Sequence, residues 1–199
     1  MKVIFLDNDG VICLSNNWGG RKKKWAQYRS ENPDSSTFVG DAPVDVRFDN
    51  FDEKAVKVLN EILEKTGAEI VVSSDWRYHA KLEELGDYYE SQGIIKRPIA
   101  TTSRTEDIDP TLWQVLRFRA DLEMERYIEI QHFVDSHPDI TNWVAVDDLD
   151  MSVKFLSGHF SNRKEDSKKP GLTNFVHTPK SNEGIKQCGI KDKILYFLE

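Results

Sequence analysis

Lys2-Val3-Ile4-Phe5-Leu6-Asp7-Asn8-Asp9-Gly10 is a short apolar, partly β-branched run that stops abruptly at polar residues, the form of a parallel strand buried on both faces. The pattern recurs twice. Ala68-Glu-Ile-Val-Val-Ser73 leads into Ser74-Asp75, and Trp143-Val-Ala-Val146 leads into Asp147-Asp148. Helical periodicity fills the intervals. Ala55, Val58, Leu59, Ile62 and Leu63 share one helix face, opened by a capping box from Asn50 to Glu53 and closed at Gly67. A second helix is predicted around Leu82 to Tyr89, ending at Gly93, and a third strand near Ile94 to Ala100. From Ala120 to Val134, Tyr127, Ile130, Phe133 and Val134 fall on one helix side before Pro138. Asn174 to His177 make a last strand, and Ile185 to Leu198 a closing helix. Strands alternating with helices predict an α/β fold, a parallel sheet with helices on both faces and right-handed crossovers.

Two stretches break the alternation. Residues 14–49 hold Gly19, Gly20, Gly40, two prolines and the run Arg21-Lys22-Lys23-Lys24, with no sustained period. They read as an insertion after the first strand, a cap or lid on a single domain of residues 1–199. Residues 161–171 are polar and read as a solvated loop.

Composition sets the outer limits. The 199 residues are 39% hydrophobic and 31% charged, enough apolar material for a core and far from disordered compositions. No run approaches the ~18 apolar residues of a membrane span, and Met1 leads straight into the first strand, so neither membrane insertion nor export is predicted. Cys13 and Cys188 are far apart and lack metal-ligand spacing, which fits a reducing cytoplasm. The net charge of −7 argues against broad nucleic-acid binding, although it leaves room for a local basic patch.

In an open parallel sheet, ligands bind beyond the carboxyl ends of the strands. If the three runs are neighbours, up to four carboxylates and a serine hydroxyl meet at one edge. Any one cluster is explained by ordinary turn chemistry. Together they form a set of like charges that calls for a cation, and hard oxygen ligands favour Mg²⁺.

The motifs resemble those of a known group. VIFLDNDGVI is similar to the first motif of the haloacid dehalogenase-like (HAD) superfamily, IVVSSDWR to its second and WVAVDD to its fourth, in the same order. SSDWR, Arg126-x-x-Glu129-Ile130 and FVHT…EGI further resemble the small branch found as a phosphatase module in RNA-repair proteins. The resemblance covers most of the chain outside residues 14–49. It implies a Mg²⁺-dependent phosphatase in which Asp7 is the nucleophile and forms an aspartyl-phosphate. Asp9 would protonate the leaving oxygen and then activate water. Ser73, or Ser74 if the strand runs one residue longer, would hold a phosphate oxygen, with Asn8 beside it. Asp147 and Asp148 would complete the metal site with Asp7 and the Asp9 carbonyl, Asp148 through water. Arg126, or else Lys96, would be the phosphate-binding cation of the third motif.

The implied substrate is a phosphorylated small molecule or a nucleic-acid end; phosphomutase chemistry and a non-catalytic binding module are the alternatives. The five histidines have no metal spacing and read as surface or packing residues. Trp76, Arg77 and Trp113 read equally as core residues or substrate contacts, and Cys13 as a small buried residue.

Overall fold

A computed structural model describes residues 1–154 and 169–199. In chain order the elements are β1 (Lys2–Leu6), α1 (Gly20–Glu31), α2 (Val44–Arg47), α3 (Glu53–Thr66), β2 (Glu69–Val72), α4 (Leu82–Ser91) and β3 (Ala100–Thr101). There follow α5 (Thr105–Ile108), α6 (Pro110–Arg119), α7 (Leu122–Ser136), β4 (Asn142–Asp147), β5 (Val153–Lys154), β6 (Lys169–Pro170), β7 (Phe175–His177) and α8 (Ile190–Leu198).

Five strands form one sheet in the order β3-β2-β1-β4-β7, every pair parallel. Alternation along β1 decides which helices cover which face. Ile4 and Leu6 point into a core with Leu59 and Ile62 of α3, Tyr88 and Tyr89 of α4, and Ile194 and Leu198 of α8. Val3 and Phe5 point the other way, onto Ile130 and Phe133 of α7. This is the predicted α/β architecture, with helices on both faces.

Several boundaries differ from the sequence reading, each for a local reason. Helix α3 is capped by Asp52 rather than Asn50: the Asp52 Oδ1 accepts from the Ala55 N–H at 2.9 Å. On its buried face Val56 takes the place expected of Val58, which is only partly covered. The stop at Gly67 is as expected, a residue with φ 69° whose N–H bonds the Leu63 carbonyl. Strand β3 is only Ala100–Thr101, because Pro98 has no N–H to give a ladder. The closing helix begins at Ile190, since Gly189 at φ 80° separates it from a 3₁₀ turn at Gly184–Lys186.

The largest departure is α1, a helix inside the stretch without periodicity. It buries none of its residues. It is held instead by its entry, where the Gly19 and Arg21 N–H groups donate to the Asp49 carboxylate at 3.2 and 2.5 Å. The basic run lies on this helix, with Lys24 turned inward to the Asp45 and Phe48 carbonyls at 2.9 Å each. Of the polar stretch expected at 161–171, residues 161–168 lie outside the described residues, while Lys169–Pro170 pair antiparallel with Val153–Lys154.

Candidate active site

Strand register assembles the site. Leu6 is level with Val72 of β2 and Val146 of β4, so the next residue of each strand emerges at the same height. The Asp7 N–H donates to the Val146 carbonyl at 3.1 Å, and the Ser73 N–H to the Leu6 carbonyl at 2.9 Å. Asp7, Ser73 and Asp147 are thereby placed side by side at the carboxyl edge. Beyond Asp7 the chain turns sharply, with the Asn8 carbonyl accepting from the N–H groups of Val11, Ile12 and Cys13. Gly10 makes the turn possible: its φ is 73°, and a Cβ there would lie 2.2 Å from the Asp148 carboxylate.

Carboxylate oxygens of Asp7, Asp147 and Asp148 all lie within 4.8 Å of one another. Asp7 and Asp147 are buried, and a guanidinium stands between them. The Arg126 Nη1 donates to Asp7 Oδ1 at 3.0 Å, to Asp147 Oδ2 at 2.9 Å and to the Ser73 carbonyl, while Nη2 reaches Asp75 at 3.0 Å.

Burial and the neighbouring Asp147 raise the Asp7 pKa well above the usual carboxylate range, although Arg126 pulls it down. Burial likewise pushes Asp147 up to about 6 against the opposing pull of Arg126, and it raises Asp148 as well, with help from Asp9. Burial pulls the Arg126 pKa down, but Asp147, Asp7 and Asp75 outweigh it and hold the pKa above the ordinary value. One guanidinium faces more negative charge than it balances. The surplus, offered entirely by hard carboxylate oxygens, fits a divalent cation such as Mg²⁺.

Asp9 is held differently. The Trp76 indole Nε1 donates to its Oδ2 at 2.8 Å. That indole is fixed by stacking on Phe48 at 4.2 Å and 5° and on Phe51 at 5.4 Å. Burial raises the Asp9 pKa, and the bonds from Trp76 and Cys13 only partly offset it. The Cys13 thiol is pushed upward by burial and by Asp9, which leaves it unfit as a nucleophile and consistent with packing.

Two buried polar atoms here have no partner within the protein, Ser73 Oγ and Asn8 Nδ2. Ser74 is occupied instead: its Oγ accepts from the Trp76 N–H at 3.5 Å and caps the 3₁₀ turn Asp75–Tyr78. The Asn8 Oδ1 is bound by the Tyr89 hydroxyl. The Ser73 hydroxyl, on the strand end beside Asp7, is a group that an incoming oxyanion can satisfy.

Lys96 lies elsewhere, at the opposite end of β2, bonded to the Gly67 and Ala68 carbonyls and paired with Glu69 at 2.7 Å. His177 approaches the cluster through the Asp148 carbonyl at 2.9 Å, and His159 lies outside the described residues. Arg77 is buried in an ion pair with Glu129, whose carboxylate also accepts from the Thr105 N–H and hydroxyl.

The functions of Trp76 and Glu129 were not visible in the sequence. A signal for Glu129 exists: Arg126 and Glu129 precede Ile130 and Phe133 by four, so both charges fall on the stripe that α7 buries. Trp76 offers no such signal, because its indole serves the core and Asp9 at once.

Comparison with known proteins returns neither a curated protein nor a solved structure that matches. The family described as the HAD domain in Swiss Army Knife RNA repair proteins matches residues 3–182, a span that holds β1, β2 and β4 and every acid described above. With that match over most of its length and the site at the expected strand ends, the chain belongs to the HAD domain family of Swiss Army Knife RNA repair proteins.

Proposed function

We propose that this protein is a Mg²⁺-dependent phosphatase that hydrolyses phosphomonoesters through an aspartyl-phosphate on Asp7, acting on the phosphorylated end of a nucleic acid. The observation that carries the reading is the pairing of Asp7 with Arg126 beside the unpartnered Ser73 hydroxyl. A nucleophile, a guanidinium fork and a free donor converge where a phosphoryl group would sit.

In this reading the Asp7 carboxylate attacks phosphorus as the ester oxygen leaves, and that oxygen takes its proton from Asp9. Asp9 then accepts a proton from the water that attacks the aspartyl-phosphate, which frees inorganic phosphate and restores Asp7. The pKa of Asp9, raised by burial, suits the protonated form needed in the first step. Arg126 and Ser73 hold the phosphoryl oxygens, and the Asn8 amide stands by as a further donor. Mg²⁺, held by Asp7, Asp147, Asp148 and the Asp9 carbonyl, would neutralise phosphate charge. Residues 14–49 act as a lid: α1 is fastened to Asp49, and the Arg21 charge is felt at Asp9.

The test is phosphate release from phosphate-ended oligonucleotides, mononucleotides and sugar phosphates, with Mg²⁺ and with chelator. Turnover that requires Mg²⁺ and is fastest on oligonucleotides is expected. Equal turnover in chelator would sink the metal assignment, and preference for a sugar phosphate would sink the substrate class.

A further inference from the structure

Beside the carboxylate cluster lies a cavity of about 380 Å³ that has no part in the chemistry above. Its floor includes Arg126, so it opens directly onto the guanidinium that touches Asp7. Its walls come mainly from the 3₁₀ turn after Ser74 and from α5 to α7, and none of residues 14–49 lines it.

Three features of the walls point to one kind of ligand. Two aromatic rings carry guanidinium groups: Arg104 and Arg77 lie 4.4 and 4.7 Å from the centroid of Tyr78, and Arg117 lies 6.0 Å from that of Trp113. Such rings and planar cations stack on flat heterocycles and attract anions. The same cavity is lined by Glu125, only 8% exposed, whose Oε1 has no hydrogen-bond partner. A buried carboxylate oxygen left unpaired is costly, and an N–H or hydroxyl of a ligand would satisfy it. The volume is that of a pocket for one small ligand, about the size of a nucleoside unit.

We propose that this cavity is the subsite for the nucleoside that carries the scissile phosphate, with the base stacked on Trp113 and a ligand N–H or hydroxyl bonded to Glu125. The proposal rests on the phosphatase reading for the placement of the phosphate at Asp7. It adds what the HAD motifs do not contain, a reason for the enzyme to prefer a nucleotide to any other phosphate ester.

The test compares Trp113→Ala and Glu125→Gln with the unaltered protein on a short phosphate-ended oligoribonucleotide and on glucose 6-phosphate, alongside calorimetric titration of that oligoribonucleotide in metal-free buffer. Each substitution should cost roughly tenfold more in kcat/KM on the oligoribonucleotide than on the sugar phosphate, carried mainly by KM, with a matching loss in the titration. Trp113→Phe, which keeps a ring for stacking, should recover most of that loss and guards against misfolding of the alanine variant. Equal losses on the two substrates, or none, would overturn the subsite and leave the chemistry at Asp7 standing. If the unaltered protein hydrolyses neither ester, the phosphatase reading fails and the titration decides the subsite alone: undiminished affinity in Trp113→Ala overturns it.

Discussion

Asp7 and Asp9 are the same residue type two positions apart, yet the fold places them in opposite surroundings. Asp7 faces the charged half of the cleft, crowded by Asp147 and Asp148 and gripped by Arg126. Asp9 faces the aromatic half, where the donor at 2.8 Å is an indole stacked on Phe48 and Phe51. In the proposed reaction the charged half would hold the attacking carboxylate, with the Arg126 guanidinium at 3.0 Å opposing the repulsion of its acidic neighbours. Burial raises the pKa of both acids, but what opposes it differs: an ion pair with Arg126 at Asp7, and hydrogen bonds from Trp76 and Cys13 with the Arg21 charge at Asp9. Division of labour between two identical side chains is a property of their environments.

Breaking the charged half should have the largest effect. Asp7→Asn is expected to lower kcat for phosphate release on the order of 10⁴-fold while circular dichroism and melting stay near those of the parent, since volume is conserved. Near-parental turnover would remove Asp7 as nucleophile.

On the aromatic side, Asp9→Asn should cost about 10²–10⁴-fold with an alkyl phosphate. The deficit should be smaller with an aryl phosphate whose leaving phenol needs little protonation. Trp76→Phe sharpens this test, because it keeps the stack and removes the N–H that lowers the Asp9 pKa. The alkaline limb of its kcat/KM profile should move to higher pH; an unmoved limb would mean that the proton donor is not Asp9.

The two acids of β4 and its following residue should part company in stability. Asp147→Ala deprives the buried Arg126 of a partner at 2.9 Å and should destabilise the metal-free protein by about 2–3 kcal/mol. Asp148 has no ion-pair partner among the described residues, so Asp148→Asn should raise the melting temperature in chelator by relieving repulsion. If both substitutions shifted stability in one direction, the charge balance assigned to the cluster would be wrong.

Outside the cleft, Asp52 supplies the smallest effect and a control of opposite sign. Burial is the largest single influence and raises its pKa, but the Lys186 ammonium at 3.0 Å and the backbone N–H groups of Ala55 and Lys54 together outweigh it and hold the pKa below the ordinary value. A depressed folded-state pKa contributes stability that is present above the unfolded pKa of ~3.9 and is lost as pH falls through the folded value. Denaturant melts of Asp52→Ala should show a loss of about 1 kcal/mol at neutral pH that shrinks below roughly pH 4. A difference independent of pH would leave capping geometry without the charge as its source.

From the sequence alone, β1, β2 and β4 were legible because an apolar run that ends in polar residues encodes its own burial, and DNDG, SSD and DD mark where each strand ends. So was the stop at Gly67, where a single residue supplies the conformation needed. The sequence also singled out Arg126 and the acids that now surround it.

What stayed hidden depends on residues distant along the chain. Helix α1 has no apolar stripe, and it is held by residues remote along the chain, Asp49 on its first N–H groups and the Asp45 and Phe48 carbonyls on Lys24. Lys96 remained the second choice to Arg126 for the phosphate-binding cation until tertiary structure put it at the other end of the sheet. The indole of Trp76 meets Asp9 across 67 residues, and Arg126 meets Asp7 across 119. Spacing along the chain carries the hydrogen bonds and periodic burial of single elements, because those forces act between near neighbours. Which buried charge meets which partner is decided only when strand register and helix packing bring remote segments together, and the differing environments of Asp7 and Asp9 arise at that step.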